Sequence, residues 1–199
     1  MTGREADGMR CKEWALHRQI WLSVQLAFLA VIYVGLLSPA SAQDKEDLFN
    51  ALKSASTERE AKVIEAQIWE MWIGSAPSTE IETLVRTAMD RRRFGDYEKA
   101  VSLLQSAISQ APDYAEARNQ MAFVLYLQGR KDKSLEAIEE VLALEPRHFG
   151  ALSGKVRILM EQGRVRIAQK VLRDALAIHP FLPERFLLIE PDKPDEVEL

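Results

Sequence analysis

The sequence predicts an all-helical solenoid of three helix-turn-helix units preceded by a helical hairpin, and three observations predict it. Glycines fall at Gly95, Gly129 and Gly163, and prolines at Pro112, Pro146 and Pro180, so both series repeat every 34 residues. Two independent series with one period mark an internal repeat, and such a period points to a stacked array. Small residues keep the same phase at Ala88, Ala122 and Val156, at Ala100, Ser134 and Ala168, and at Ala107, Val141 and Ala175; seven of these nine places hold Ala or Ser, which lets paired helices approach closely. Larger apolar residues, Leu104, Ile138 and Leu172, then Ile108, Leu142 and Leu176, stand at the three- and four-residue offsets of an amphipathic helix.

The elements follow in chain order. Residues 1–42 read as an export segment: Arg10, Lys12 and Arg18 precede an apolar run from Ile20 to Leu37, and Ala40-Ser41-Ala42 supplies the small residues of a cleavage site before Gln43. Translation starts at Met1 or at Met9. The alternative is an uncleaved anchor, since about 18 apolar residues reach across a bilayer. Cys11, the sole cysteine of the chain, precedes the apolar run and leaves with it on cleavage. The remaining chain holds no disulfide, and its 22 Lys/Arg against 27 Asp/Glu give a net charge of −5.

Residues 43–78 form the N-terminal hairpin, with Leu48 and Leu52 on one arm and Ala61, Ile64, Ile68 and Met71 on the other. Thr57 with Glu60, and Thr79 with Glu82, read as capping boxes. The hairpin is expected to cover the open face of the first unit, as the end of an array requires. The repeats occupy 79–182, as units 81–114, 115–148 and 149–182. In each, glycine makes the turn between the helices and proline stops the second helix. Residues 183–199 read as a short cap, in which Phe186, Leu187, Leu188 and Ile189 shield the third unit, followed by an acidic, proline-punctuated tail expected to be disordered.

The segment Gly95-Asp96-Tyr97-Glu98-Lys99-Ala100, with Leu104, Ala107 and Pro112 and their equivalents in the next two units, resembles the tetratricopeptide-repeat family, and Pro146-Arg147-His148-Phe149-Gly150-Ala151-Leu152-Ser153-Gly154 resembles a turn variant of its small exported bacterial members. The resemblance covers residues 81–182. Leu84, Arg118 and Leu152 stand where the family commonly has tryptophan, and Arg91 where it has an aromatic. The resemblance implies that the first helix of each unit lines a binding groove, at Glu82, Val85, Met89, Arg92 and Arg93, then Glu116, Asn119, Phe123, Tyr126 and Leu127, then Gly150, Ser153, Arg157, Met160 and Glu161. Of these, Met89, Arg92, Asn119, Phe123, Tyr126 and Arg157 are the candidate partner-binding residues. Asn119 would hydrogen-bond a peptide backbone, Phe123 and Tyr126 would pack its side chains, and Arg92 or Arg157 would pair with an acidic group; the alternative for Tyr126 and Leu127 is packing between helices. The basic places used by chaperone-tail binders are filled by Val85, Met89, Gln120, Gly150 and Gly154, so that clamp is missing. Gly150 and Gly154 leave the third unit's first helix bare for a close approach by a neighbour or ligand.

No catalytic constellation is legible. His148 and His179 adjoin proline turns and read as turn or packing residues, no set has metal-ligand spacing, and adjacent carboxylates such as Glu139 and Glu140 do not face each other on a helix. Neither an enzyme nor a cofactor site is expected. Arg91-Arg92-Arg93 ends a helix, where cations complement the dipole, and a whole-chain net charge of −4 argues against a nucleic-acid partner. Trp69 and Trp72 read as packing residues rather than a ligand cage. The expected function is a non-catalytic interaction module of the cell envelope that holds a peptide or partner helix in its groove. The protein would be periplasmic or secreted after cleavage near Ala42, or else anchored to the inner membrane by residues 20–37. The alternative is a structural or assembly subunit docking through its thinly capped C-terminal face, with self-association as one outcome.

Overall fold

Three glycines fix the architecture. In the computed structural model, which describes residues 40–189, Gly95, Gly129 and Gly163 adopt φ of 78°, 75° and 71°, a left-handed conformation that costs glycine least. Each lies just past the first helix of a unit and closes it in the same way. Asp96 N–H donates to the Arg91 carbonyl at 2.9 Å and Gly95 N–H to Arg92 at 3.0 Å; the pairs Arg130 to Leu125 and Gly129 to Tyr126, then Arg164 to Leu159 and Gly163 to Met160, repeat the pattern. This is the Schellman arrangement, which satisfies carbonyls that a helix end otherwise leaves open.

Among the described residues all regular structure is helical: α1 Ala40–Ser54, α2 Glu58–Gly74, α3 Thr79–Arg93, α4 Tyr97–Gln110, α5 Ala115–Leu127, α6 Lys131–Leu144, α7 Phe149–Glu161, α8 Val165–Ile178, and a 3-10 turn Pro183–Leu187. The chain divides into two compact units after Asp44. The first falls almost wholly outside the described residues, as does the apolar run 20–37. The second holds α2 to α8 and all of α1 beyond its start. The acidic tail from Pro191 also lies outside the described residues.

The second helices end by a different mechanism. Ala111, Glu145 and His179 each donate a last helical N–H, to Ala107, Val141 and Ala175 at 2.8 to 2.9 Å, and then turn to φ near −136°, −135° and −131°. Each precedes a proline, whose ring disfavours helical geometry in the residue before it. Between the turns the small residues lie inside: Ala100, Ala107, Val141, Val156, Ala168 and Ala175 have no exposed surface. Ser134 is buried as well, and its hydroxyl donates to the Ala122 carbonyl at 2.7 Å, so a polar group sits there without an unpaired donor. The result is an α-solenoid of three helix-turn-helix units with a helical hairpin before them.

The hairpin docks elsewhere than expected. Phe49, Leu52, Ala61, Ile68 and Trp72 share one core with Phe149, Leu152, Val156, Leu159, Leu172 and Leu182, so it packs on the third unit rather than capping the first. Helix α2 runs past the proline turn that ends each of the three units. Tyr114 donates its hydroxyl to the Ile73 carbonyl at 2.7 Å, Trp72 stacks on His148 at 3.9 Å and 9°, Glu65 lies 3.4 Å from His179, and Glu58 pairs with Arg185 at 3.1 Å. The physical reason is aromatic mass: Phe49, Trp69 and Trp72 find His148 and Phe149, whereas the first unit meets α2 through the ion pair Arg86–Glu70 and the Tyr114 hydroxyl. The third unit is thus covered by the hairpin more than by the residues after it, and Phe186 is 80% exposed and Ile189 55%. A second correction concerns a cap. Ser78, not Thr79, is the N-cap of α3, accepting from Ile81 N–H at 3.3 Å, because Ser78 holds the extended φ, ψ of a cap while Thr79 has entered the helix. Thr57 caps α2 as expected, and Glu60 reaches back to the N–H of Ser56 at 2.8 Å.

Candidate functional site

Helices α3, α5 and α7 place their inner faces around a cavity of about 340 Å3. All six residues singled out from sequence line it: Met89, Arg92, Asn119, Phe123, Tyr126 and Arg157. They converge because Met89, Phe123 and Arg157 share one register of their units' first helices under the 34-residue period, Arg92 and Tyr126 share a second, and Asn119 lies four residues before Phe123 on the same helix face. Among the other groove places Gly150 and Ser153 join them, but Val85 and Glu116 are buried in the interior.

A buried carboxylate lies beneath the cavity. Glu116 is 1% exposed and accepts from Gln120 Nε2 at 2.5 Å, from Asn119 Nδ2 at 3.2 Å and from His148 Nε2 at 3.1 Å. His148 Nδ1 accepts from Ala151 N–H at 3.2 Å, which leaves the ring proton on Nε2, facing the carboxylate. With this many donors a carboxylate is tolerable inside the fold. The family resemblance implies that Asn119 meets a peptide backbone. Instead it is 7% exposed and its amide N–H is spent on Glu116, leaving only its oxygen for a ligand. His148 is a packing residue, but one that also orients a charge.

Arg92 stands between this network and the cavity. Its guanidinium donates to Gln120 Oε1 and lies 4.5 Å over the Phe123 ring, yet no carboxylate among the described residues lies within ion-pair distance of it. Burial pulls its pKa below the ordinary arginine value, with Glu116 opposing and Arg93 assisting that shift. A half-buried cation without a paired anion costs desolvation energy, and a ligand carboxylate would offset it. Phe123 beneath it is 45% exposed.

The remaining polar groups are already partnered. Arg157, expected to pair with an acidic group of a ligand, already pairs with buried Glu184 at 2.6 Å. Burial pushes the Glu184 carboxyl up, but bonds from Arg157 and Ser153 more than reverse this and hold it below its usual value. Tyr126 donates to Glu161 at 2.6 Å, and that bond raises its pKa; Glu161 also holds Lys131 at 2.8 Å. Tyr126 therefore bridges α5 and α7 while one side of it faces the cavity.

Sequence reasoning missed Trp69, which lines the cavity from outside the repeats. A Cβ on Gly150 would lie 2.6 Å from Trp69 Cη2, so the bare backbone of α7 is taken by the protein's own hairpin. Gly154 answers to packing, its Cβ position being 3.4 Å from Ile138 Cδ1. The described residues contain no group of His, Cys, Asp and Glu able to hold a metal ion, and no helix among them is long and apolar enough to cross a membrane.

Stacked helix-turn-helix units that present apolar, aromatic and amide groups on one shared face define a helical-repeat interaction module, a protein-binding scaffold. The tetratricopeptide-repeat family model matches residues 92–140. A TPR repeat-containing protein of Rhizobium etli is 35% identical over 143 residues, covering 72% of this chain and 70% of that protein. The chain belongs to the tetratricopeptide-repeat family. Human tetratricopeptide repeat protein 21B is 33% identical over 112 residues, which make up 54% of this chain and 8% of that one. Among solved structures, MamA is similar at 18% identity with a TM-score of 0.47, covering 75% of this chain and 92% of that one. A mutant of MamA gives 15% identity, a TM-score of 0.46 and coverage of 70% and 98%. Proteins of the family are generally non-catalytic interaction modules.

Proposed function

We propose that this protein binds a polypeptide segment of a partner in the cavity formed by α3, α5 and α7, and does so in the cell envelope. The observation that carries the groove reading is Arg92: a half-buried guanidinium without a carboxylate, stacked on a half-exposed phenyl ring at the mouth of an apolar cavity. An acidic residue beside an apolar one complements it, since the acid would supply the missing counter-charge and the apolar side chain would displace water from Phe123, Met89 and Tyr126. Recognition without catalysis fits the site, whose buried carboxylate and imidazole face each other rather than the cavity.

The envelope reading rests on the basic, apolar and small-residue succession of residues 1–42. Cell fractionation with intact-mass measurement tests it: the exported form is expected to begin at Gln43, and a cytosolic protein retaining residues 1–42 would refute it. For the groove, a phage-displayed library of random short peptides is expected to yield binders carrying an acidic residue next to an aliphatic one. Arg92→Gln and Phe123→Ala should each lose them. Equal binding by both variants would overturn the reading. A second reading, docking through the C-terminal face, draws on the exposure of Phe186, Ile167 and Ile189; truncation after Arg185, which keeps Glu184 on Arg157, would abolish partner capture under it and leave capture intact under the first.

A further inference from the structure

We propose that Trp69, supplied by the N-terminal hairpin and by none of the repeats, is a fixed wall of the binding cavity that sets its specificity, admitting a compact aliphatic side chain beside a carboxylate and excluding bulky aromatic ones. The inference rests on the groove reading and names the occupant more closely.

Four observations hold the ring in place. It abuts the α7 backbone where Gly150 has no side chain, and any Cβ there would stand 2.6 and 2.9 Å from two ring carbons. It is caged edge-on by Trp72 at 5.3 Å, His148 at 5.5 Å and Phe149 at 5.6 Å. Its Nε1 donates to Glu65 at 3.3 Å, which in turn lies 3.4 Å from His179. The helix that carries it is rooted in the core, with Ala61 and Ile68 wholly buried and Trp72 nearly so. A ring with this many partners cannot swing aside cheaply, so it bounds the space rather than gating it.

The space that remains decides what enters. About 340 Å3 is at the low end of the roughly 300–1,000 Å3 typical of ligand pockets. A helix, about 10 Å across with its side chains, does not fit inside, whereas one or two side chains of an extended segment do. Trp69, held against Gly150 of α7, and Arg92, lying over Phe123 of α5, both line that space. The carboxylate therefore goes to Arg92 and its apolar neighbour points toward Trp69. That carboxylate comes from an acidic side chain or from the C-terminus of the bound segment.

The test pans random short peptides, displayed once with a free C-terminus and once internally, against the full chain kept in mild detergent. The wild type is expected to select compact aliphatic residues beside the carboxylate, and the two display formats show which source of carboxylate is used. Trp69→Ala opens the wall, so it should select aromatic residues at the same place and bind the wild-type peptides roughly tenfold more weakly. Trp69→Phe should keep the wild-type choice, and Gly150→Ala, which drives the ring into the cavity, should narrow it further. Should Trp69→Ala lose helical circular dichroism, the Trp69→Phe and Gly150→Ala pair decides. Tryptophan emission of the wild type should also change on adding a selected peptide, and lose most of that change in Trp69→Phe. Unaltered residue choice and affinity in folded Trp69→Ala, or in both of the other variants, overturns the proposal while leaving the groove standing. Failure of the wild type to select any peptide, or binding that survives both Arg92→Gln and Phe123→Ala, removes the groove and the wall with it.

Discussion

Phe123 and Glu116 sit two turns apart on α5 and show how differently one helix can spend its side chains. Phe123 leaves 45% of its surface open under Arg92, so little apolar area is lost to water when it is truncated. Phe123→Ala is expected to cost less than about 1 kcal/mol of folding free energy but about 1–3 kcal/mol of partner binding, as an interface anchor does. Urea unfolding checks this, because a core phenylalanine would cost about 3–5 kcal/mol instead. Glu116 is the reverse case. Removing it leaves the His148 N–H and the amides of Asn119 and Gln120 without their acceptor, and it strips Arg92 of its nearest buried negative charge. Glu116→Ala should therefore destabilise by about 3–5 kcal/mol, while Glu116→Gln, which keeps an acceptor, should cost visibly less. Equal losses from both would mean that the network contributes little beyond packing.

At the scale of the element, the turns depend on backbone conformation more than on contact. A Cβ on Gly129 would meet nothing within 4 Å, yet its φ is 75°, so Gly129→Ala is expected to cost about 1–2 kcal/mol through strain alone. A thermal shift with no change in peptide binding would show that. These turns were legible in the sequence because their causes are local: left-handed glycine, proline after the helix, and small residues at a fixed period. The docking of α2 was not legible. It depends on Trp69 and Trp72 meeting His148 and Phe149, partners far along the chain that no periodicity relates to them. For the same reason the six cavity residues could be named from the family's groove places in each repeat, whereas Trp69, outside every repeat, read only as packing. Asn119 fell between the two. Its bond to Glu116 joins neighbours on one helix turn, and that spacing was there to be read, but which face is buried is a tertiary fact. The ion pair of Arg157 was not legible either, since its partner Glu184 comes from the 3-10 turn after the last helix.

At the scale of the molecule, the charged contacts of the hairpin and of the C-terminal segment tie stability to pH. Glu65 is held below its usual 4.5 by the bond from His179, against the effect of burial. Glu184 is likewise below 4.5, because Arg157 and Ser153 outweigh burial there. A carboxylate whose pKa is depressed in the folded state contributes stability that is fully present above its unfolded value and lost as pH falls through the folded one. The urea midpoint should therefore hold steady above about 4.5 and decline below it. Glu65→Gln should flatten part of that decline. A midpoint that rises on acidification would contradict the assignment.

The hairpin also changes how the array should come apart. In an open solenoid each unit touches only its neighbours, so unfolding can begin at either end and spread unit by unit. Here α2 contacts the turns at Tyr114, His148 and His179, which belong to successive units, and its Ile68 and Trp72 share one core with Phe149 and Leu172 of the last unit. Local opening of the third unit must then expose hairpin residues as well, which raises its cost toward that of global unfolding. The wild type is expected to unfold in urea as a single transition, with amides of α7 and α8 as well protected against hydrogen exchange as those of α5. Trp72→Ala removes the stack on His148 and the buried ring that joins hairpin to array. It should lower stability by about 3–5 kcal/mol and let α7 and α8 exchange ahead of α4 and α5. Unfolding unit by unit in the wild type, or unchanged relative protection in the Trp72→Ala protein, would mean that the hairpin is a passenger on the repeats rather than the strap that unites them.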